Sequence, residues 1–135
     1  MVTVEERIRE YIAGSSDAAF LTSEFMRFGS RSVVARALRI LVADKTLYRA
    51  GYGVYTPSRT LTDEPVAGYK VLRFAESAVA ASFLRKRGVD PKPGVLVREY
   101  NEGRSTQVPP YAIIDVGKSR IRRKLFYGGV KYERS

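Results

Sequence analysis

The chain has 135 residues with 24 Lys/Arg against 14 Asp/Glu, and it contains neither cysteine nor histidine. Without cysteine there are no disulfides and no thiol chemistry; without histidine there is no Ser-His triad and no use of the commonest zinc ligand. A formal charge of +10 favours a polyanionic partner, because each neutralised phosphate releases condensed counterions. Val4, Ile8, Tyr11 and Ile12 recur at i, i+4, i+7 and i+8, which predicts an amphipathic helix from about Val4 to Ala13, ended by Gly14-Ser15-Ser16-Asp17. The run Leu21 to Met26 reads as an edge-strand residue, a hydroxyl cap and a short helix finishing near Phe28.

Ser30 is placed to accept a hydrogen bond from first-turn amides, and Gly29 before it is expected to let the chain turn sharply. In the helix that follows, Val34, Ala37, Leu38 and Leu41 share one face, while Ser32, Arg36, Arg39 and Ala43 fall on the other. Leu47-Tyr48-Arg49 and Val54-Tyr55-Thr56 then flank Ala50-Gly51-Tyr52-Gly53, a loop suited to closing a β-hairpin. Three helices and a hairpin predict a winged helix-turn-helix over residues 1–60. In that motif the second helix of the pair enters the major groove, which makes Arg31, Ser32, Arg36 and Arg39 the candidates for base edges. Lys45, Arg49 and Tyr52 are the candidates for phosphate or sugar, whereas Tyr48 and Tyr55 are expected to pack the hairpin on the helices.

Pro57 to Pro65 reads as a linker, with a boundary near residue 60 and a basic α+β domain over 61–135. Glu76 to Lys86 predicts a helix, followed by Gly88 and stopped by Asp90-Pro91-Lys92-Pro93-Gly94. Val95 to Tyr100 and Ala112 to Val116 read as strands. Gly128-Gly129 between Lys124-Leu125-Phe126-Tyr127 and Val130-Lys131-Tyr132-Glu133 predicts a terminal hairpin. The predicted fold class is therefore α+β throughout. Charge is uneven: residues 91–135 hold 10 Lys/Arg against 4 Asp/Glu, but residues 1–56 hold 8 against 6. Arg122, Arg123 and Lys124 are accordingly added to the DNA backbone contacts. Two readings of Lys118 to Lys124 stay open, a second DNA patch and a charged face alternating around a strand.

Ser105-Thr106-Gln107-Val108-Pro109, Arg122-Arg123-Lys124-Leu125 and Tyr127-Gly128-Gly129-Val130-Lys131-Tyr132-Glu133 resemble a family of small prokaryotic proteins. These carry an AbiEi-like winged helix-turn-helix and are grouped with the antitoxins of type IV toxin–antitoxin systems. Ala37-Leu38-Arg39 through Leu41-Val42, with Gly51-Tyr52-Gly53-Val54-Tyr55, fit the same family's helix-then-wing pattern. The resemblance implies a sequence-specific DNA-binding regulator that represses its own promoter and, in true pairs, opposes a nucleotidyltransferase-like toxin.

Other classes compete. A winged helix also serves as a protein-docking module, here for a toxin or another acidic partner, since fold does not fix function. Glu99, Asp115, Lys118 and Lys124 loosely imitate a metal-dependent nuclease, but acids among strands more often guard sheet edges. The expectation is a protein that is not an enzyme and uses no metal and no cofactor. Its partners are double-stranded DNA, with a toxin protein and a second copy of the chain as candidates, the latter because paired readers match paired half-sites. No segment has the parts of a signal peptide or the length of a membrane span, so a cytoplasmic location without membrane contact is expected.

Overall fold

The computed structural model describes residues 2–60, 70–104, 106 and 112–135. Its first element is α1 (Val4–Ala13), and the cause of its start is a reciprocal cap. Thr3 Oγ1 accepts from Glu6 N at 3.1 Å while Glu6 Oε2 accepts from Thr3 N at 3.4 Å, so two otherwise orphaned amides are satisfied. Strand β1 (Phe20–Leu21) leads into α2 (Thr22–Phe25) and a 3-10 turn over Met26–Phe28. No hydroxyl caps α2: Leu21 N donates to Glu24 Oε2 at 2.7 Å, so a carboxylate replaces the expected Thr or Ser.

Helix α3 (Arg31–Ala43) begins at Ser30, whose hydroxyl accepts from Val33 N at 3.4 Å. Gly29 before it is extended rather than sharply turned. What glycine supplies there is room, because a Cβ would lie 2.9 Å from Val4 Cγ2. The helix ends on a left-handed Lys45 (φ +68°): Lys45 N donates to Val42 O and Thr46 N to Leu41 O, which closes the last carbonyls. Ile8, Ile12, Phe20, Phe25, Val34, Leu38, Leu41 and Leu47 form the core beneath α1 and α3. Tyr11 packs edge-on against Phe20, Phe25 and Phe28, with ring centroids 5.8–5.9 Å apart.

Strands β2 (Leu47–Gly51) and β3 (Val54–Thr60) pair antiparallel, with Tyr48 opposite Thr56 and an irregularity between Arg49 and Gly51. Tyr52 and Gly53 make the turn, and the φ of +70° at Gly53 is one that glycine adopts without cost. β1 pairs with the start of β3, and β4 (Lys70–Leu72) pairs antiparallel with its far end. The division near residue 60 expected from composition falls at the end of β3; the sheet continues to Leu72, and the chain divides into Met1–Phe74 and Ala75–Ser135.

The second unit holds α4 (Glu76–Lys86), β5 (Lys92–Pro93), α5 (Val95–Asn101), β6 (Ala112–Asp115) and β7 (Val130–Glu133). The sheet order is β5-β6-β7, antiparallel then parallel. Val79, Phe83 and Leu84 of α4 are buried, as are Ile113, Ile114, Leu125 and Val130. The whole is α+β, with five α-helices and two small sheets among the described residues.

Two expectations in this unit are overturned. Val95 to Tyr100 is helix, not strand. A short Val-Leu-Val run fits either period, and here Glu133 Oε2 accepts the helix's first amide, Val95 N, at 3.0 Å while Gly94 packs on β6. A Cβ on Gly94 would stand 2.4 Å from Ile113 Cγ2, so the entry to α5 is a close backbone approach. There is also no terminal hairpin around Gly128-Gly129. Leu125 and Phe126 sink into the core, Phe126–Gly128 forms a 3-10 turn, and β7 takes its hydrogen bonds from β6 in parallel. Gln107, Val108 and Pro109 lie outside the described residues, as does Ser105.

Candidate nucleic-acid interface

The apolar stripe of α3 faces the core, which forces the opposite side outward. Val34, Ala37, Leu38 and Leu41 are buried; Arg31, Ser32, Arg36 and Arg39 are all exposed. At 3.6 residues per turn, Ser32, Arg36, Arg39 and Ala43 lie within a sector of roughly 60°. Arg36 and Arg39 therefore leave the same side of the helix, their Cα atoms about 4.5 Å apart along the axis. Neither Arg36 nor Arg39 forms an ion pair among the described residues, so both remain available to an external anion.

Arg9 of α1 sets the position of the C-terminal end of α3. Its guanidinium donates to Asp44, to Thr46 Oγ1 at 3.0 Å and to Glu5 Oε1 at 3.0 Å. Burial works to raise the Asp44 pKa, but hydrogen bonds from Arg9 and Thr46 outweigh it and hold the carboxyl below its ordinary value. The Arg9 guanidinium is correspondingly held more firmly protonated by Asp44 and Glu5. Sequence periodicity gave no sign of this clamp, because Arg9 and Asp44 are 35 residues apart.

Lys45 is half-buried at the end of α3, and its carbonyl accepts from Ser58 Oγ at 2.8 Å. On the hairpin, the Arg49 guanidinium lies 5.8 Å from the Tyr52 ring centroid, and Tyr52 is 77% exposed. Leu38, Arg39, Val42, Ala43, Arg49 and Tyr55 line an open groove of about 400 Å³ between α3 and the hairpin. Arg39 and Arg49 thus border one groove from opposite elements. Val33 and Ile40, seven residues apart on α3, are 46% and 43% exposed, an apolar edge beside the arginines that charge-based reading passed over.

In the second unit, Arg122 and Lys124 are exposed. Arg123 differs from both: it is half-buried, its guanidinium is 5.7 Å from the Phe83 ring centroid, and its carbonyl accepts from Tyr132 Oη at 2.7 Å. Asp115 Oδ1 accepts from Gly117 N at 2.8 Å, and no group of three acidic side chains suited to a metal ion occurs among the described residues. No helix among the described residues is long and apolar enough to cross a membrane.

No protein-family model matches the chain, and no curated protein matches it.

Proposed function

We propose that the Met1–Phe74 unit is a winged helix-turn-helix that binds duplex DNA sequence-specifically, as an autoregulatory transcriptional regulator of the antitoxin type. The supporting observation is the outward stack of Ser32, Arg36 and Arg39 on a helix whose other side is locked in the core. In this reading Arg31, Ser32, Arg36 and Arg39 reach base edges, and Arg pairs bidentately with guanine. Lys45, Arg49 and Tyr52 meet the backbone, joined by the exposed Arg122 and Lys124 and by Arg123. A cytoplasmic location, a second copy of the chain on a two-fold operator and a toxin partner belong to the same reading.

Selection of bound sequences from a random duplex pool tests it. Enrichment of one motif, repeated at a spacing of about one helical turn if the reader is paired, is the expected result. A pool that stays random after selection removes sequence reading from the proposal.

A second reading has one observation in its favour. Val33 and Ile40 add apolar surface to the same helix edge, as a protein-docking face would need, although a thymine methyl also meets such side chains. Val33→Ser with Ile40→Ser separates the two: loss of a protein partner with retained DNA discrimination favours docking.

A further inference from the structure

The chain turns at Gly117-Lys118 after β6 and continues from Ser119 to Leu125 without helix or strand. Burial alternates along it. Lys118, Arg120, Arg122 and Lys124 are exposed, whereas Ser119, Ile121 and Arg123 are half-buried. The carbonyls keep the same parity: Ser135 N donates to Gly117 O at 3.1 Å, Arg134 Nε to Ser119 O at 2.9 Å, Arg134 Nη2 to Ile121 O, and Tyr132 Oη to Arg123 O at 2.7 Å. Donors step back from 135 to 132 as acceptors step forward from 117 to 123. The segment is therefore latched along one edge by the C-terminal strand and its extension, and every second side chain is turned to solvent.

All four of those outward side chains are cations. They form no hydrogen bond or ion pair among the described residues. Beyond the turn at Lys118, an extended chain repeats the same direction every second residue, so Arg120, Arg122 and Lys124 recur at a step of about 6.6 Å, comparable to the separation of neighbouring phosphates along one strand. An alternating face that merely solvated the segment would be served by any polar residue, and would not require one sign of charge four times.

A second feature follows Lys124 at once. Phe126, Tyr127 and Gly128 are successive left-handed residues, with φ of +51°, +54° and +90°. Bulky residues rarely hold this conformation, and it persists only where neighbours enforce it. Here the buried Phe126 anchors the turn and leaves the Tyr127 ring 92% exposed. Lys131 Nζ lies beside Gly128, and the Glu76 carboxylate is the acid nearest Gly129.

We infer that Lys118, Arg120, Arg122 and Lys124 hold successive phosphates of a single-stranded nucleic acid while the Tyr127 ring stacks on an unpaired base. Regular cations tracking a backbone, with an aromatic face for sequence-tolerant stacking, are the chemistry that single strands are bound by. Duplex DNA offers no open base face to Tyr127. The inference reassigns Arg122 and Lys124 from the duplex-backbone set of the proposed function; base-edge reading by α3 does not use them, so either stands if the other fails.

Titration of the full chain with fluorescent (dT)12 over a salt series tests it. Lys118→Gln, Arg120→Gln, Arg122→Gln and Lys124→Gln combined are expected to flatten the log K against log salt slope by about 2.8, roughly 0.7 per phosphate. A control with the same change in charge, Arg85→Gln, Arg87→Gln, Lys92→Gln and Arg98→Gln, is expected to flatten it by less than about one unit. Tyr127→Ala is expected to weaken (dT)12 about fivefold or more and to leave a 12-base-pair duplex unaffected. The single Gln variants, each worth about 0.7 in slope, decide the matter if the combined variant is misfolded. Equal flattening by both quadruple sets, or a Tyr127→Ala protein with unchanged (dT)12 affinity, overturns the assignment. So does loss of binding to phosphatidylserine vesicles in the first quadruple variant with (dT)12 binding intact, which assigns the face to a membrane surface instead.

Discussion

Arg9 and Asp44 join the middle of α1 to the residue that ends α3, and Thr46 beside Asp44 shares the same guanidinium. The proposed reading helix is thus held at its C-terminal end by a charged clamp and along its length by apolar packing. Arg9→Met keeps the aliphatic stem and removes the clamp. Because the side chains are more than a third exposed, the loss is expected to be only about 1 kcal/mol. The sign of the pH dependence follows from Asp44, whose pKa is lowered on folding: the stabilisation is present above the ordinary carboxylate range and disappears as pH falls through the folded value. Denaturant unfolding of wild type and Arg9→Met is therefore expected to differ by a constant amount near neutrality and to converge below about pH 4. A gap that persists at pH 2 would locate the effect in packing instead.

Lys45 occupies the left-handed position that closes α3, where glycine carries no Cβ penalty. Lys45→Gly is expected to raise stability by about 0.5 to 1 kcal/mol while weakening duplex binding evenly across sequences. Thermal unfolding and paired binding titrations on two unrelated duplexes check both halves. Weakening confined to one sequence would move Lys45 from the backbone to the base-reading set.

Thr56 of β3 is fully buried, and its hydroxyl has no hydrogen-bond partner among the described residues. Removing an unpaired buried hydroxyl while keeping the shape relieves a desolvation penalty. Thr56→Val is expected to stabilise the protein by about 1 kcal/mol, read as a rise in denaturation midpoint with unchanged slope. A fall in midpoint would mean that the hydroxyl is satisfied by bound water.

Tyr132 donates to the Arg123 carbonyl from a half-buried position. Burial pushes its phenol above the ordinary value, partly opposed by the Arg123 charge. A pKa raised on folding means that this contribution is complete below about pH 10 and is lost as pH rises through the folded value. Ultraviolet titration of phenolate is expected to show a late-ionising step that Tyr132→Phe abolishes. Loss of the late step in another variant but not in Tyr132→Phe would contradict the assignment.

Local periodicity was sufficient for the elements whose neighbours in sequence are also their reason for existing. α1 and α4 run over the residues predicted, and the face of α3 divides as read, because spacing at 3.6 residues per turn is decided within each helix. The hairpin of β2 and β3 was legible from its glycines. What failed in the second unit depends on distant partners. Val95 to Asn101 became helix through Glu133, and Val130 to Glu133 joined β6 rather than its own neighbours. Of the site, the outward arginines of α3 were readable, but not the clamp from Arg9 or the latches from Arg134 and Tyr132. Those contacts bridge residues that no short window sees together. Strain at Tyr127 has no signature in composition, and glycine at the next position suggested a different turn.

Fluorescence anisotropy on the selected duplex and a scrambled duplex of equal length, at one salt concentration, addresses the proposed reading face of α3 directly. Wild type is expected to prefer the selected sequence by about a thousandfold or more, and Arg36→Ala to lose roughly 1 to 3 kcal/mol of that preference at one base pair. Equal affinity of wild type for the two duplexes, or an Arg36→Ala, Arg39→Ala double variant with undiminished preference, would contradict it.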